Sequence, residues 1–87
     1  MKQIISLQNH KIKLISKLHT AKGRKEQNKF IVQGIRAIES CINSKLKFDN
    51  LFTTEEYLSE SLNFVPKEKI ILISKDILNK ISTTKTP

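Results

Sequence analysis

Lys69-Ile70-Ile71-Leu72-Ile73-Ser74-Lys75-Asp76-Ile77-Leu78 contains the transition on which the fold turns. Four consecutive apolar residues after a lysine make Lys69 to Ile73 the clearest strand of the chain. Ser74 then stands where a helix N-cap belongs, and Asp76 lies in the first turn, where the helix dipole favours a carboxylate. Ile73 and Leu78 are spaced to staple across that cap. A strand running straight into a capped helix is a unit whose alternation favours a parallel sheet with helices on both faces.

The same unit can be read upstream. Phe30-Ile31-Val32-Gln33 is a short continuous apolar run closed by Gly34, the pattern of a buried strand. Ile35, Ile38 and Ile42, with Ala37 and Cys41 beside them, predict a helix running to about Ser44. Phe48 to Thr53 reads as another strand, interrupted by Asp49 and Asn50. Thr53-Thr54-Glu55-Glu56 has the spacing of a capping box, with Phe52 and Tyr57 placed to staple a short third helix that ends before Asn63–Pro66. Near the N-terminus, Asn9 caps a helix from His10 to about Thr20, ended by Gly23. Its apolar side carries Ile12, Leu14, Ile15 and Leu18, and its other side carries His10, Lys13 and Lys17. Lys11 projects near the apolar side, where its stem can snorkel. The order is α-β-α-β-α-β-α, which predicts an α/β domain with a parallel sheet and helices on both faces.

At 87 residues the chain is one small domain with a modest core. No apolar run reaches the roughly 18–20 residues of a membrane span, and the N-terminus lacks the unbroken apolar segment of a signal peptide. One cysteine excludes an intramolecular disulfide and a multi-cysteine metal site. These bounds describe a soluble, cytoplasmic domain.

The formal charge is +8, and it is uneven. Residues 1–29 carry 8 basic residues against the single acid Glu26, whereas residues 30–87 carry 8 basic and 7 acidic residues. A +7 block in one third of the chain concentrates polyanions and makes binding salt-dependent. A solvated surface accounts for the same lysines with no ligand at all. An anionic membrane fits less well, because the segment has no bulky aromatic anchors.

No catalytic constellation is visible. Cys41 lies on the packing face of its helix and reads as a small core hydrophobe. His10 and His19 are nine residues apart, about 180° around one helix, and cannot share a metal within a monomer. Glu55, Glu56 and Asp76 are explained by capping. No GxGxxG or Walker-type loop exists to hold a cofactor's phosphates. Gly34 either allows an anion to approach a helix N-terminus or simply makes a tight turn.

Ile5-Ser6-Leu7-Gln8-Asn9, Ile12-Lys13, Leu18, Lys22-Gly23-Arg24-Lys25 and Phe30-Ile31-Val32-Gln33-Gly34-Ile35-Arg36 together resemble the N-terminal substrate-binding domain of SpoU/TrmH-family RNA ribose 2′-O-methyltransferases. Ile73-Ser74-Lys75-Asp76-Ile77-Leu78 and the Ser82–Pro87 tail match that family's hand-over to its catalytic domain. The resemblance covers essentially the whole chain. It implies a three-layer α/β/α sandwich with a small, mostly parallel sheet, similar to kink-turn-binding ribosomal proteins. Residues 1–82 would be a non-catalytic RNA substrate-binding domain, and 83–87 the start of a linker. The catalytic domain would lie outside this chain, use S-adenosylmethionine and methylate a ribose 2′-hydroxyl.

The implied partners are a structured RNA, ribosomal in preference to transfer RNA, and the protein's own catalytic domain, in a homodimeric enzyme. Gln33 stands where the family usually has Glu, and His10 where it usually has Pro. Lys11, Lys13, Lys17, Lys22, Arg24, Lys25 and Lys29 are the expected phosphate contacts. Gly34 and Arg36 carry over as the close-approach turn and a nearby basic contact. An ion pair with Glu39 at i,i+3 is the competing role for Arg36. The competing role for the whole domain is a protein-interaction module that docks the catalytic domain or an acidic partner.

Overall fold

The computed structural model describes residues 1–82. In chain order the elements are β1 (Lys2–Ile4), α1 (His10–Ser16), a 3-10 turn (Lys17–His19), α2 (Ala21–Gln27), α3 (Ile35–Asn43) and β2 (Leu51–Thr53). A 3-10 turn (Glu55–Tyr57), α4 (Leu58–Leu62), a further 3-10 turn (Lys67–Lys69), β3 (Ile70–Ile73) and α5 (Lys75–Ile81) follow. The three strands form one parallel sheet in the order β1-β3-β2. Ile4 pairs with Ile73, Leu51 with Ile70 and Phe52 with Ile71.

That register sorts the apolar side chains into two cores, because neighbouring strand residues point to opposite faces. On one face Ile71 and Ile73, with Ile4 and Phe52, pack on Ile12 and Ile15 of α1 and on Ile77, Leu78 and Ile81 of α5. On the other face Leu51 and Ile70 pack with Val65 against Ile38 and Ile42 of α3, Leu58 of α4, Phe48 and Phe64. Helices therefore cover both sides of the sheet, as an α/β sandwich requires. The helix starts follow local chemistry. The Asn9 side chain accepts from Lys11 N at 2.9 Å, and the Ser74 hydroxyl accepts from Ile77 N at 3.3 Å.

The strand inventory differs from the sequence reading in one place. Phe30–Gln33 belongs to no strand of the sheet, and Lys2–Ile4 supplies the third strand instead. The run is bracketed by two residues of positive φ, Asn28 (54°) as the cap of α2 and Gly34 (96°) as the N-cap of α3. The run lines a groove together with Leu51 and Phe52 and takes no part in the ladder. Phe30 is consequently 69 % exposed. Lys29 Nζ pairs with Asp49 Oδ2 and ties this segment to the approach of β2.

The first helix also differs. It breaks at Ser16, continues as a 3-10 turn, and gives way to a second helix, α2, over Ala21–Gln27. Gly23 lies inside α2 rather than ending the preceding helix. A Cβ there would stand 1.8 Å from the Lys17 carbonyl oxygen, so glycine is what lets α2 sit on the end of α1. The Thr20 hydroxyl caps α2 by accepting from Gly23 N at 3.0 Å and itself donates to Lys17 O. The expected capping box does not close. Thr53 is buried at the end of β2, its hydroxyl directed to Thr54 O, and Thr54 makes no side-chain cap bond. The expected linker at 83–87 lies outside the described residues.

Two outcomes follow from these contacts. Gly23→Ala removes an unfavourable helix glycine, a gain of about 1 kcal/mol by propensity alone. The clash with the Lys17 backbone outweighs it, so urea denaturation should show a net loss of about 1–3 kcal/mol; unchanged or increased stability would contradict the close packing. The second outcome concerns Asp49. The hydrogen bond from Lys29 holds its carboxyl below the usual carboxylate range, slight desolvation opposes this, and the Lys29, Lys11 and Lys69 charges add to the lowering. Its small stabilisation is present above the unfolded-state pKa and lost as pH falls through the lower folded value. An NMR titration should find the Asp49 midpoint depressed, and the depression should shrink in 1 M salt.

Candidate nucleic-acid interface

α1, the 3-10 turn and α2 form one clamped unit that carries six of the 16 basic residues. Breaking α1 at Ser16 leaves carbonyls near its end without their usual helical donors. Side chains of α2 take up two of them: Arg24 Nη1 donates to Leu18 O at 3.0 Å, and Gln27 Nε2 donates to Leu14 O at 2.8 Å. His19 Nε2 lies 3.1 Å from Ile81 O and joins this unit to the last turn of α5.

Lys13 on α1 and Lys17 at the start of the 3-10 turn, four residues apart, are both exposed. Lys22 and Lys25 share the outer side of α2 and are also exposed. Lys22 Nζ lies 3.8 Å from Glu26 across a largely exposed i,i+4 pair, an interaction that leaves its charge open to solvent. Arg24 is exposed, yet part of its guanidinium is committed to Leu18 O. Lys29 is neutralised locally by Asp49.

The remaining residues sit differently. Lys11 is half-buried and lines a groove of about 510 Å³, together with Lys29 and Gly34. Gly34 opens α3 with nothing within 4 Å of where a Cβ would stand. Arg36 is exposed in the first turn of α3, and the i,i+3 ion pair with Glu39 does not form among the described residues. The nine sequence-identified residues thus fall into three sets. Lys13, Lys17, Lys22, Arg24 and Lys25 lie on the α1–α2 unit, Lys11 and Lys29 at the groove, and Gly34 and Arg36 at the start of α3 on the other side of the sheet.

Asp49 and Lys69 are the local determinants that composition conceals. Lys69 Nζ donates to Phe48 O at 2.8 Å and lies 4.8 Å from the Phe48 ring centroid, which fixes the turn that presents Asp49 to Lys29. An acid after an aromatic near a strand start carries no pattern that announces such a pairing. Cys41 is half-buried and lines the groove. No group of three or more His, Cys, Asp or Glu residues that could hold a metal ion occurs among the described residues. None of their helices is long and apolar enough to cross a membrane.

A family model described as the MRM3-like substrate binding domain matches residues 9–87. Over 92 aligned residues the chain is 29 % identical to the 23S rRNA (guanosine(2553)-2′-O)-methyltransferase RlmP of Bacillus subtilis (strain 168). The alignment covers all of this chain and 35 % of the relative, so the chain spans about a third of that protein's length. With a three-layer α/β domain, a cationic helical unit on one flank and a family match across nearly its whole length, the chain belongs to the MRM3-like substrate-binding domains of SpoU-type RNA methyltransferases.

Proposed function

We propose that this chain is the non-catalytic RNA-holding domain of an rRNA 2′-O-ribose methyltransferase. The observation that carries the reading is the set of exposed cations on one rigid unit: Lys13 on α1, Lys17 on the 3-10 turn, and Lys22 and Lys25 on α2, held together through Gly23, Arg24 and Gln27. Lysines on a fixed scaffold neutralise phosphates at set spacing and so position an RNA without reading its sequence. Lys11, Lys29, Gly34 and Arg36 extend the surface toward the groove and α3. The sparse aromatic content argues against a single-strand stacking platform and for recognition of a folded RNA by shape.

The name of the Bacillus subtilis relative supports ribosomal RNA as the substrate class. In the longer protein a separate catalytic domain would bind S-adenosylmethionine, which supplies the methyl group, and would act as a homodimer in the cytoplasm. The substrate-binding domain's own part is orientation: bringing one ribose within reach of that cofactor through contacts remote from the reacting atoms.

Fluorescence-anisotropy titrations with a structured ribosomal RNA hairpin and an unstructured strand of equal length, at two salt concentrations, test the reading. The 87-residue chain should bind the hairpin more tightly, with log affinity falling by about 0.7–0.9 per phosphate contact per decade of salt. Lys13→Glu/Lys17→Glu/Lys25→Glu, which spares the structural Arg24, should keep its ellipticity and lose both the affinity and most of the salt slope. Asp49→Asn should act oppositely. Freeing Lys29 from an exposed ion pair worth about 0.2–1 kcal/mol should tighten binding about 1.5- to 5-fold. Absence of RNA binding, with salt-insensitive capture of the catalytic domain added in trans, would instead establish a docking module.

A further inference from the structure

Residues 30–87, with 8 basic and 7 acidic residues, are almost neutral as a sequence, yet the parallel sheet sorts their charges. In a parallel pair the segments that lead into both strands arrive at the same end. Leu51 is paired with Ile70, so residues 45–50 and 67–69 enter β2 and β3 side by side. Together they carry Lys45, Lys47, Lys67 and Lys69 against Asp49 and Glu68. At the opposite end the turn after β2 carries Glu55 and Glu56, and the start of α5 carries Asp76 beside Lys75. The amino end of the sheet is cationic and the carboxyl end acidic.

All four lysines at the amino end are exposed. Lys69 Nζ donates to Phe48 O at 2.8 Å and Asn50 Nδ2 donates to Lys69 O at 3.4 Å, so the two segments are fastened to each other. A carbonyl orients the Lys69 ammonium without neutralising it. Asp49 is already engaged by Lys29, and Lys45, Lys47 and Lys67 form no ion pair among the described residues. Lys45 is also held against its backbone preference, at φ 59° just past the Ser44 cap of α3. Lys45 N donates to Ile42 O and Leu46 N to Cys41 O, a Schellman motif whose left-handed residue is ordinarily glycine. The dipole of α3 would favour a lysine in its last turn without that strain, and none stands there. Strain kept at an exposed cation points to a ligand for the cation.

We propose that the segments entering β2 and β3 form a second phosphate-binding face, in which Lys45, Lys47, Lys67 and Lys69 hold the sugar–phosphate backbone of the same RNA. The proposal rests on the RNA-holding role of the domain and adds a face outside the α1–α2 unit. Continuity with that unit favours RNA over an acidic protein. Lys29 follows α2, and the charges of Lys29, Lys11 and Lys69 all act on the Asp49 carboxylate. A backbone that leaves α2 and passes Asp49 meets lysines up to the start of β3.

Lys45→Gln/Lys67→Gln takes one cation from each segment and spares Lys69, which orders the turn. Lys2→Gln/Lys75→Gln removes equal charge from exposed positions elsewhere. In anisotropy titrations with the structured hairpin at about 0.1 M salt, the first variant should bind at least about 10-fold more weakly than the unmodified chain. Its slope of log affinity against log salt should be smaller by about 1.4–1.8. The second variant should stay within about 2-fold, because distant charges are screened at that ionic strength. In NMR spectra of the unmodified 87-residue chain the hairpin should shift amides of residues 45–50 and 67–69 as well as those of α1 and α2. Equal weakening by both variants, or shifts confined to α1 and α2, overturns the proposal. Hairpin binding that Lys13→Glu/Lys17→Glu/Lys25→Glu abolishes and Lys45→Gln/Lys67→Gln leaves intact overturns it while the RNA-holding role stands. Absence of hairpin binding by the unmodified chain overturns both.

Discussion

The structure depends on burying β3 from both sides. Ile70, Ile71 and Ile73 are all nearly inaccessible, and they belong to two different cores. A strand so placed has no face on which to carry charge, and neither do the helix surfaces that cover it. In a chain with 16 basic residues this forces the cations outward, onto the outer surfaces of α1 and α2 and into turns. The distribution of charge is in this sense a consequence of the fold: 87 residues provide one sheet, two thin apolar layers and a polar periphery. Lys11 marks the boundary, with its stem against the groove beside Leu14 and Ile15.

The α1–α2 unit shows how a short basic stretch can be made rigid without a core of its own. Helices of seven residues are marginal in isolation, because nucleation costs as much as so few hydrogen bonds return. Here each supports the other through backbone chemistry. The glycine permits contact, the threonine caps, and Arg24 and Gln27 satisfy carbonyls exposed by the break at Ser16. Arg24 consequently has a structural task before any ligand arrives. This separates it from Lys13, Lys17 and Lys25, whose side chains make no hydrogen bond or ion pair among the described residues.

What could be read from the chain was what is decided locally. β3, α5 with its Ser74 cap, the Asn9 cap and the amphipathic α3 follow from patterns within a few residues. The α/β class followed from their alternation. Gly23 defeated such a reading because a glycine after a helical run signals a stop as readily as a close helix contact, and only the position of the Lys17 carbonyl distinguishes them. Thr53 has the spacing of a capping residue, but the register of β2 assigns it to the strand. Phe30–Val32 has a strand's composition without the strand's hydrogen bonds, and Lys2–Ile4 the reverse, because pairing depends on what lies alongside. The basic surface was legible as charge. The partners of Lys29 and Arg24, 20 and 6 residues away, were not.

The two arginines divide along the same line. Arg24 is held by a carbonyl, so its planar fork is partly used; Arg36, in the first turn of α3, meets no partner among the described residues. Around them the charge is carried by lysines, compact and strongly hydrated, which favour proximity to phosphate over any one geometry. A surface built this way gains affinity from the number and spacing of its contacts, and a folded RNA offers phosphates at spacings that an unfolded one does not hold. Shape selection then requires only that the lysine scaffold be stiff. The Gly23 contact and the two side-chain-to-carbonyl bonds provide that stiffness, so on the proposed function Gly23, Arg24 and Gln27 would make recognition selective through the scaffold they hold rather than by touching the RNA.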